Sequence, residues 1–400
     1  MRIKSLLRQW RTLFGLLLVS SIWAAASAAP NPPPLLCVDD DADLECVETP
    51  ETSQPPPAPQ PPPSTGGDYD LSDALAGVPF TVNTPVLPNI SEEVTVTPST
   101  IAANKVNGRR LILQPGNYGN QSFGTQDQEI VIQPGVEIGT LSIDRTARRL
   151  HFRATPVRSG RIRTITTGGS NNNGITDLFF EGLYVNDNGS PSANNFHGAR
   201  IAIINSHIIA SEYAVGGFHG VTDFILANSH AHTDSNGGGN ESNMRSHSPV
   251  RYVVVDSRLQ KSGLSKKHTL RIHAGPPGDR PADDIYIARN QLDGSRVAIR
   301  GTGTCGAENG QPDACETAGL GTVWFDNNVI YQPGFNNASL YTGSPAHDTD
   351  RPQMMYVRNN SLYTDRAPYF SPSTPRSNWE VSNNSVAPYQ PPPPDSWDFR

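Results

Sequence analysis

Lys266, Lys267, His268, Arg271 and His273 fall within ten residues, KKHTLRIHAG, of an otherwise acidic chain. Leu270 and Ile272 alternate with Thr269, Arg271 and His273, so as a strand the segment turns Arg271 and His273 to one face. Guanidinium forks match carboxylates and sulfates in two-point geometry, which makes such a face a candidate for binding acidic groups. Two neighbouring segments carry similar residues: NESNMRSH, Asn240 to His247, and SRVAIRGT, Ser295 to Thr302. Aligned on their arginines, the three segments put Arg245, Arg271 and Arg300 in one column and His247, His273 and Thr302 in a second. Glu241, Lys267 and Arg296 form a third column, and Met244, Leu270 and Ile299 share the opposite face. Strands about 4.8 Å apart bring stacked guanidiniums close enough to repel unless an anion lies across them. The face is then either a solvated surface neutralised by Glu241 and nearby Asp residues, or a groove for a uronate or sulfate polymer.

The elements that must position these residues repeat. A unit of apolar, two residues, Asn/Ser/Gly, one residue, apolar recurs eight times. It reads Phe179-Gly182-Tyr184, Ile203-Ser206-Ile208, Leu226-Ser229-Ala231 and Val254-Ser257-Leu259, then Ile287-Asn290-Leu292, Trp324-Asn327-Val329, Val357-Asn360-Leu362 and Val381-Asn384-Val386. Short apolar segments with little helical periodicity predict a solenoid of strands, in which each coil buries its apolar face against its neighbours. An inward Asn at a tight corner can bond the next coil, so Asn290, Asn327, Asn360 and Asn384 are expected to form an amide ladder. Upstream, RRLILQPGNYG and QEIVIQPGVEIG repeat at a step of 19 residues.

This coil pattern resembles the right-handed parallel β-helix, or pectate-lyase-like, superfamily over most of the chain, with LILQPGNYG like its usual first coil. The resemblance implies an all-β, single-domain right-handed parallel β-helix with Pro-rich termini. Its members include lyases, hydrolases, epimerases and adhesins, so fold alone does not name the chemistry.

β-Elimination at a uronate needs its carboxylate neutralised, a base for the C5 proton and an acid for the leaving oxygen. LRIHAG followed by DDIYIARNQLDG resembles the arginine coil of the chondroitinase B/alginate lyase family. By that resemblance Arg271 matches the general acid and His273 approximates the adjacent histidine. The family's base lysine stands one coil earlier, where this chain has Arg245, and its upstream glutamates hold calcium, for which Glu241 and Asn240 are the nearby candidates. An arginine is a poor base unless strongly perturbed, which leaves Lys267 and His268 as substitutes. Catalysis is therefore expected from Arg271, Lys267, His268 and Arg245, with Arg300, His273 and His247 binding substrate. The alternative is a non-catalytic surface or matrix protein that binds glycan through the same face.

Other groups point elsewhere. His207, His230 and Arg258 are expected to stack after the polar corner as solvated imidazoles. His230 and His232 have zinc-compatible spacing, with His219 and Asp234 nearby. Asp283-Asp284 and Asp348/Asp350 are candidate acid–base pairs of a hydrolase. SNGGGNES lacks the strand-to-helix context of a phosphate loop.

The remaining sequence sets bounds. Arg2, Lys4, Arg8 and Arg11 precede an apolar stretch from Leu13 to Trp23 and the Ala26-Ser27-Ala28 site, which reads residues 1–28 as a secretory signal, with an uncleaved anchor as the rival. Removal of four of the 31 basic residues leaves 27 against 38 acidic ones, a net of −11, which disfavours a nucleic-acid partner. Residues 29–69 are a Pro-rich linker, 70–387 the β-helix and 388–400 a Pro-rich tail. Export makes disulfides plausible; four cysteines allow three pairings, and the local loops Cys37–Cys46 and Cys305–Cys315 are the simplest. Asp39, Asp41 and Asp43 inside the first loop suit either a small calcium site or a solvated acidic loop.

Overall fold

The computed structural model describes the backbone of residues 36–38 and 45–47, and residues 69–393 except 169–173, 188–192, 218–219, 234–241, 262–267, 276–279, 295, 302–317, 334–339, 344–350 and 366–374. Leu36–Val38 pairs antiparallel with Glu45–Val47, with Cys37 opposite Cys46. Cys305, Cys315 and the Asp39–Asp43 loop lie outside the described residues.

Among the described residues from Glu92 to Ala387, the strands stack in three parallel sheets, two of twelve strands and one of five. One coil shows the plan. Val250–Val255 in the first sheet turns at Asp256 into Arg258–Lys261 in the second. The chain returns through His268–His273 in the third sheet to Asp283–Ala288, again in the first. The fold is a right-handed parallel β-helix. Its two described helices, Leu71–Leu75 and Ile101–Asn104, are short.

Inward positions form one continuous core from Val96 to Trp379. Within it, Phe152 stacks on Phe180 at 5.5 Å and Phe224 on Tyr252 at 4.8 Å. Ile101 of the second helix is buried against the start of this core.

The polar ladder exists but differs from the expected one in two coils. Asn328, not Asn327, occupies the inward corner, and Leu183, not Gly182, is the equivalent position at the start. Backbone N–H groups of Leu183, Ser206, Ser229, Ser257, Asn290, Asn328 and Asn360 each donate to the side-chain oxygen of the next coil, at 2.9–3.1 Å. Asn327 instead supplies the left-handed residue of the corner, with φ 56°, as Asn359 and Asn383 do in later coils. Two adjacent Asn residues made both assignments compatible with the spacing. Only the backbone conformation separates them, since Asn tolerates that region better than most side chains.

The outer face of the first sheet is largely covered. Ala202, Ile204, Ile225, Ala227, Val253, Val255, Tyr286 and Ala288 point outward, and Tyr69, Leu71, Leu75, Val78, Phe80 and Val82 pack over them. Beside them runs a column of left-handed residues: Asp127, Arg149, Asp177, Arg200, Asp223, Arg251 and Asp284. Its charges alternate coil by coil. Arg149 clamps Asp127, Arg200 clamps Asp177 and Arg251 clamps Asp223, each with two bonds of 2.5–2.8 Å.

An extended strap crosses this column. Backbone N–H groups of Asn83, Val86 and Asn89 donate to Asp223, Asp177 and Asp127 at 3.0, 3.0 and 3.2 Å. Three residues of polyproline-type backbone advance about 9.3 Å, and two coils about 9.6 Å. The three-residue step therefore matches every second coil, which is where the aspartates stand. Pro85 and Pro88 fall between the donors, where no N–H is needed.

Candidate polyanion-binding face

The third sheet runs Val215–Gly217, Met244–His247, His268–His273, Arg296–Arg300 and Leu340–Tyr341. Met244, Leu270, Ile272, Val297 and Ile299 belong to the core. Period-two alternation therefore turns Arg245, His247, Arg271, His273, Arg296, Ala298 and Arg300 outward. Two of the expected matches hold: Arg245 is opposite Arg271, and His247 opposite His273.

The next coil is a correction. Arg300 stands opposite His273 and Arg271 opposite Ala298, and a register shift between His268 and Leu270 sets Arg296 opposite His268. The Arg245/Arg271/Arg300 column is thus a pair of arginines followed by an alanine. The slip is two residues, so the arginines keep the expected face. Lys267, Asn240, Glu241 and Thr302 lie outside the described residues.

The imidazoles on this face are engaged or enclosed. Arg245 Nε donates to His247 Nε2 at 3.0 Å and Arg296 Nε to His268 Nε2 at 2.8 Å. A histidine accepting from a guanidinium has spent that lone pair and carries its proton on the other nitrogen. His268 Nδ1 faces Ser242 Oγ at 3.4 Å. His273 is 1% exposed, and its ring stacks on His247 at 5.0 Å. Burial first, then the Arg271, Arg245 and Arg300 charges, hold His273 well below the ordinary imidazole value. It is neutral at pH 7.

Two arginines of this face differ from most of those around the first sheet. On and beside the first sheet, Arg109, Arg110, Arg149, Arg153, Arg200, Arg251, Arg289 and Arg358 all pair with carboxylates. Among the described residues, Arg271 and Arg300 have no such partner, and the buried Nε atom of each lacks a hydrogen bond. Arg245 donates to Tyr213 Oη at 2.8 Å, and Arg300 to Tyr341 Oη at 3.3 Å. Burial, followed by repulsion from Arg245, Arg300 and Arg296, lowers Arg271 to about 10. It remains a cation at neutral pH, but one whose proton is held less tightly than usual.

This donor set suits an anion. It does not suit calcium, which takes oxygen ligands. Tyr213 and Tyr341, which border the face, were not singled out in the sequence. Their signal was available only through register, because each lies far from the arginine it touches.

On the second sheet, His207, His230 and Arg258 stand in register as expected. His230 is not solvated. It is 7% exposed, stacks on His207 at 4.7 Å and meets Gln260 Oε1 at 3.1 Å. Burial, then neighbouring cationic groups, lowers His207 to about 4 and His230 to about 2. No cluster of three or more metal-ligating side chains occurs among the described residues. His219, Asp234, Asp348 and Asp350 lie outside them. Asp283 Oδ1 accepts from the Asp284 and Thr322 N–H groups at 2.9 and 2.7 Å, while burial and then Asp283 raise the Asp284 carboxyl.

No known family signature matches this sequence, and no curated protein matches it. Among solved structures, the chain is similar to pectate lyase Pel9A at 11% identity and TM-score 0.27, over 74% of this chain and 80% of that one. It is also similar to the A-module of Azotobacter vinelandii mannuronan C-5 epimerase AlgE6 at 12% identity and TM-score 0.24, over 76% of this chain and 98% of that one. Neither likeness carries a site residue over to this chain.

Proposed function

We propose that this protein is an exported β-helix that holds an acidic polysaccharide against its third sheet, through Arg245, Arg271, Arg296 and Arg300. The observation that carries this reading is the contrast between its arginines. Eight arginines around the first sheet are matched by carboxylates, whereas Arg271 and Arg300 turn guanidiniums without a carboxylate outward, each with a buried, unbonded Nε donor. Leaving such donors unpaired is costly, and an incoming anion with acceptor oxygens relieves that cost. Export rests on the Arg-rich start and the apolar run before Ala26-Ser27-Ala28. Among the described residues, no helix is long and apolar enough to cross a membrane.

Elimination at a uronate is the reaction this face is best suited to. Arg245 and Arg296 would neutralise the carboxylate, and Arg271, lowered to about 10, would protonate the leaving oxygen. His273 is enclosed with both ring nitrogens buried and is assigned no proton transfer. His268 is a poorer base than expected, since a guanidinium occupies its Nε2 lone pair. That same observation favours the second reading, a surface or matrix protein that binds glycan without cleaving it.

One experiment separates the two. The mature protein is incubated with polygalacturonate, alginate and glycosaminoglycans, with calcium or chelator, and the absorbance of unsaturated uronate is followed alongside binding. Rising absorbance that Arg271→Gln abolishes supports the lyase. Binding weakened by Arg271→Gln with no absorbance supports the matrix protein. Neither signal on any polymer ends the proposal.

A further inference from the structure

The outward row Arg271–Ala298–Tyr341 crosses three adjacent coils of the third sheet. Arg296 and Arg300 flank Ala298 by two residues on its own strand, so they share its face. A single methyl thus stands where four larger side chains converge: Arg271 on one side, Tyr341 on the other, and an arginine at each end. Ala298 faces outward yet is 0% exposed, so these neighbours lean across it. Tyr341 gathers both flanking arginines. The guanidinium carbons of Arg296 and Arg300 lie 5.6 and 5.0 Å from its ring centroid, within cation–π range.

The chemistry of the gathered group narrows what it can hold. Arg271 and Arg300 each keep a buried Nε without a partner, so two guanidinium edges, from different strands, remain to be filled. One edge supplies two parallel donors, which match the two coplanar oxygens of one carboxylate. Two edges on different strands call for an acceptor whose oxygens point in more than one plane. A sulfate or phosphate monoester has three terminal oxygens in a tetrahedral arrangement and fits both. Lysine would not impose this geometry, because its ammonium is a point charge without a fork.

We propose that Arg271, Arg296 and Arg300, gathered over Ala298 by Tyr341, form a site for a tetrahedral oxyanion monoester, sulfate or phosphate, borne by the polysaccharide. This rests on the reading of the third sheet as a face for acidic glycan, and it selects among acidic glycans. Tyr341 is a positioning residue: its ring orients Arg296 and Arg300, and its hydroxyl contributes one longer bond.

The test uses a neutral backbone carrying different anions. Dextran sulfate, phosphorylated dextran and carboxymethyl dextran, matched in charge density, are titrated against the full mature chain by calorimetry. The sulfate or phosphate polymer is expected to bind about tenfold more tightly than the carboxymethyl one, and whichever of the two is tighter identifies the ester. Arg300→Gln and Tyr341→Ala should remove that preference while weak binding to all three polymers persists. Tyr341→Phe should retain it, because the ring is kept, which a merely structural role for the hydroxyl would not predict. Carboxymethyl dextran binding as tightly as the esters overturns this inference and leaves polysaccharide binding intact. Failure of all three to bind overturns both. The wild-type comparison decides the matter even if a variant fails to fold.

Discussion

Arg271 and Arg251 are both half-buried arginines on outward strand positions, yet they stand in opposite electrostatic settings. Arg251 grips Asp223 with bonds of 2.5 and 2.8 Å, whereas Arg271 is repelled by three other arginines. Arg251→Gln leaves Asp223 buried without its counter-ion and should lower stability by about 3 kcal/mol. Arg271→Gln relieves repulsion and should leave stability unchanged or raise it by about 0.5 kcal/mol, as expected where binding opposes stability. Denaturant unfolding of the two variants gives the comparison; equal losses would make Arg271 a structural residue. The buried histidines make a second prediction. His207, at about 4, and His230, at about 2, are lowered in the folded state. The unfolded chain therefore binds more protons once the pH falls below about 6.5, and stability declines from there toward the folded values. The thermal midpoint should drop between pH 7 and pH 5, and drop less in His230→Gln. A profile that stays flat in the wild type contradicts the account.

At the scale of elements, two ladders hold the coils in register. Asn328 accepts the Asn290 N–H and donates to the Ile287 carbonyl, all of it buried. Asn328→Ala should cost about 2–4 kcal/mol by leaving buried groups unpaired. Asn327→Gly should be close to neutral or stabilising, since φ 56° suits glycine. Urea midpoints of the pair distinguish the ladder residue from its neighbour. Removing residues 69–90 should expose the apolar outer face around Ile225 and Val253, detected as dye binding and aggregation. Asn83→Ala alone should raise hydrogen exchange at Val86 and Asn89 while the coils stay protected.

These elements also mark how far the sequence could be read. The coil repeat was legible because inward residues such as Leu226, Val254 and Ile287 recur with a small polar residue behind them. The covered outer face was legible in principle, since IAII, FILA, YVVV and IYIA are apolar without alternation, as strands buried on both faces are. The strap was not. Its order comes from aspartates more than 90 residues away, such as Asp177 beneath Val86. The site arginines and their face were readable from alternation, but the register of Arg300 was not, because a two-residue slip keeps the same alternation of apolar and polar positions.

Across the whole molecule, the charges are sorted by surface. The chain carries a net charge of −7, and carboxylates such as Asp177 and Asp223 pair with arginines along the first sheet, while the third sheet keeps cations that no described carboxylate neutralises at Arg271 and Arg300. Coils bury one another's faces, so the third sheet is positioned by the cooperative stack and not by any one strand. The most direct test of this arrangement is calorimetric titration of a sulfated uronate polymer into three proteins: the wild type, a third-sheet double variant Arg271→Gln/Arg300→Gln, and a control Arg109→Gln/Arg148→Gln of equal charge change. The account predicts that the third-sheet variant loses about a hundredfold in affinity while the control stays within about twofold. Equal losses in both variants would mean that net charge alone drives binding, and unchanged binding in the third-sheet variant would place the polymer elsewhere.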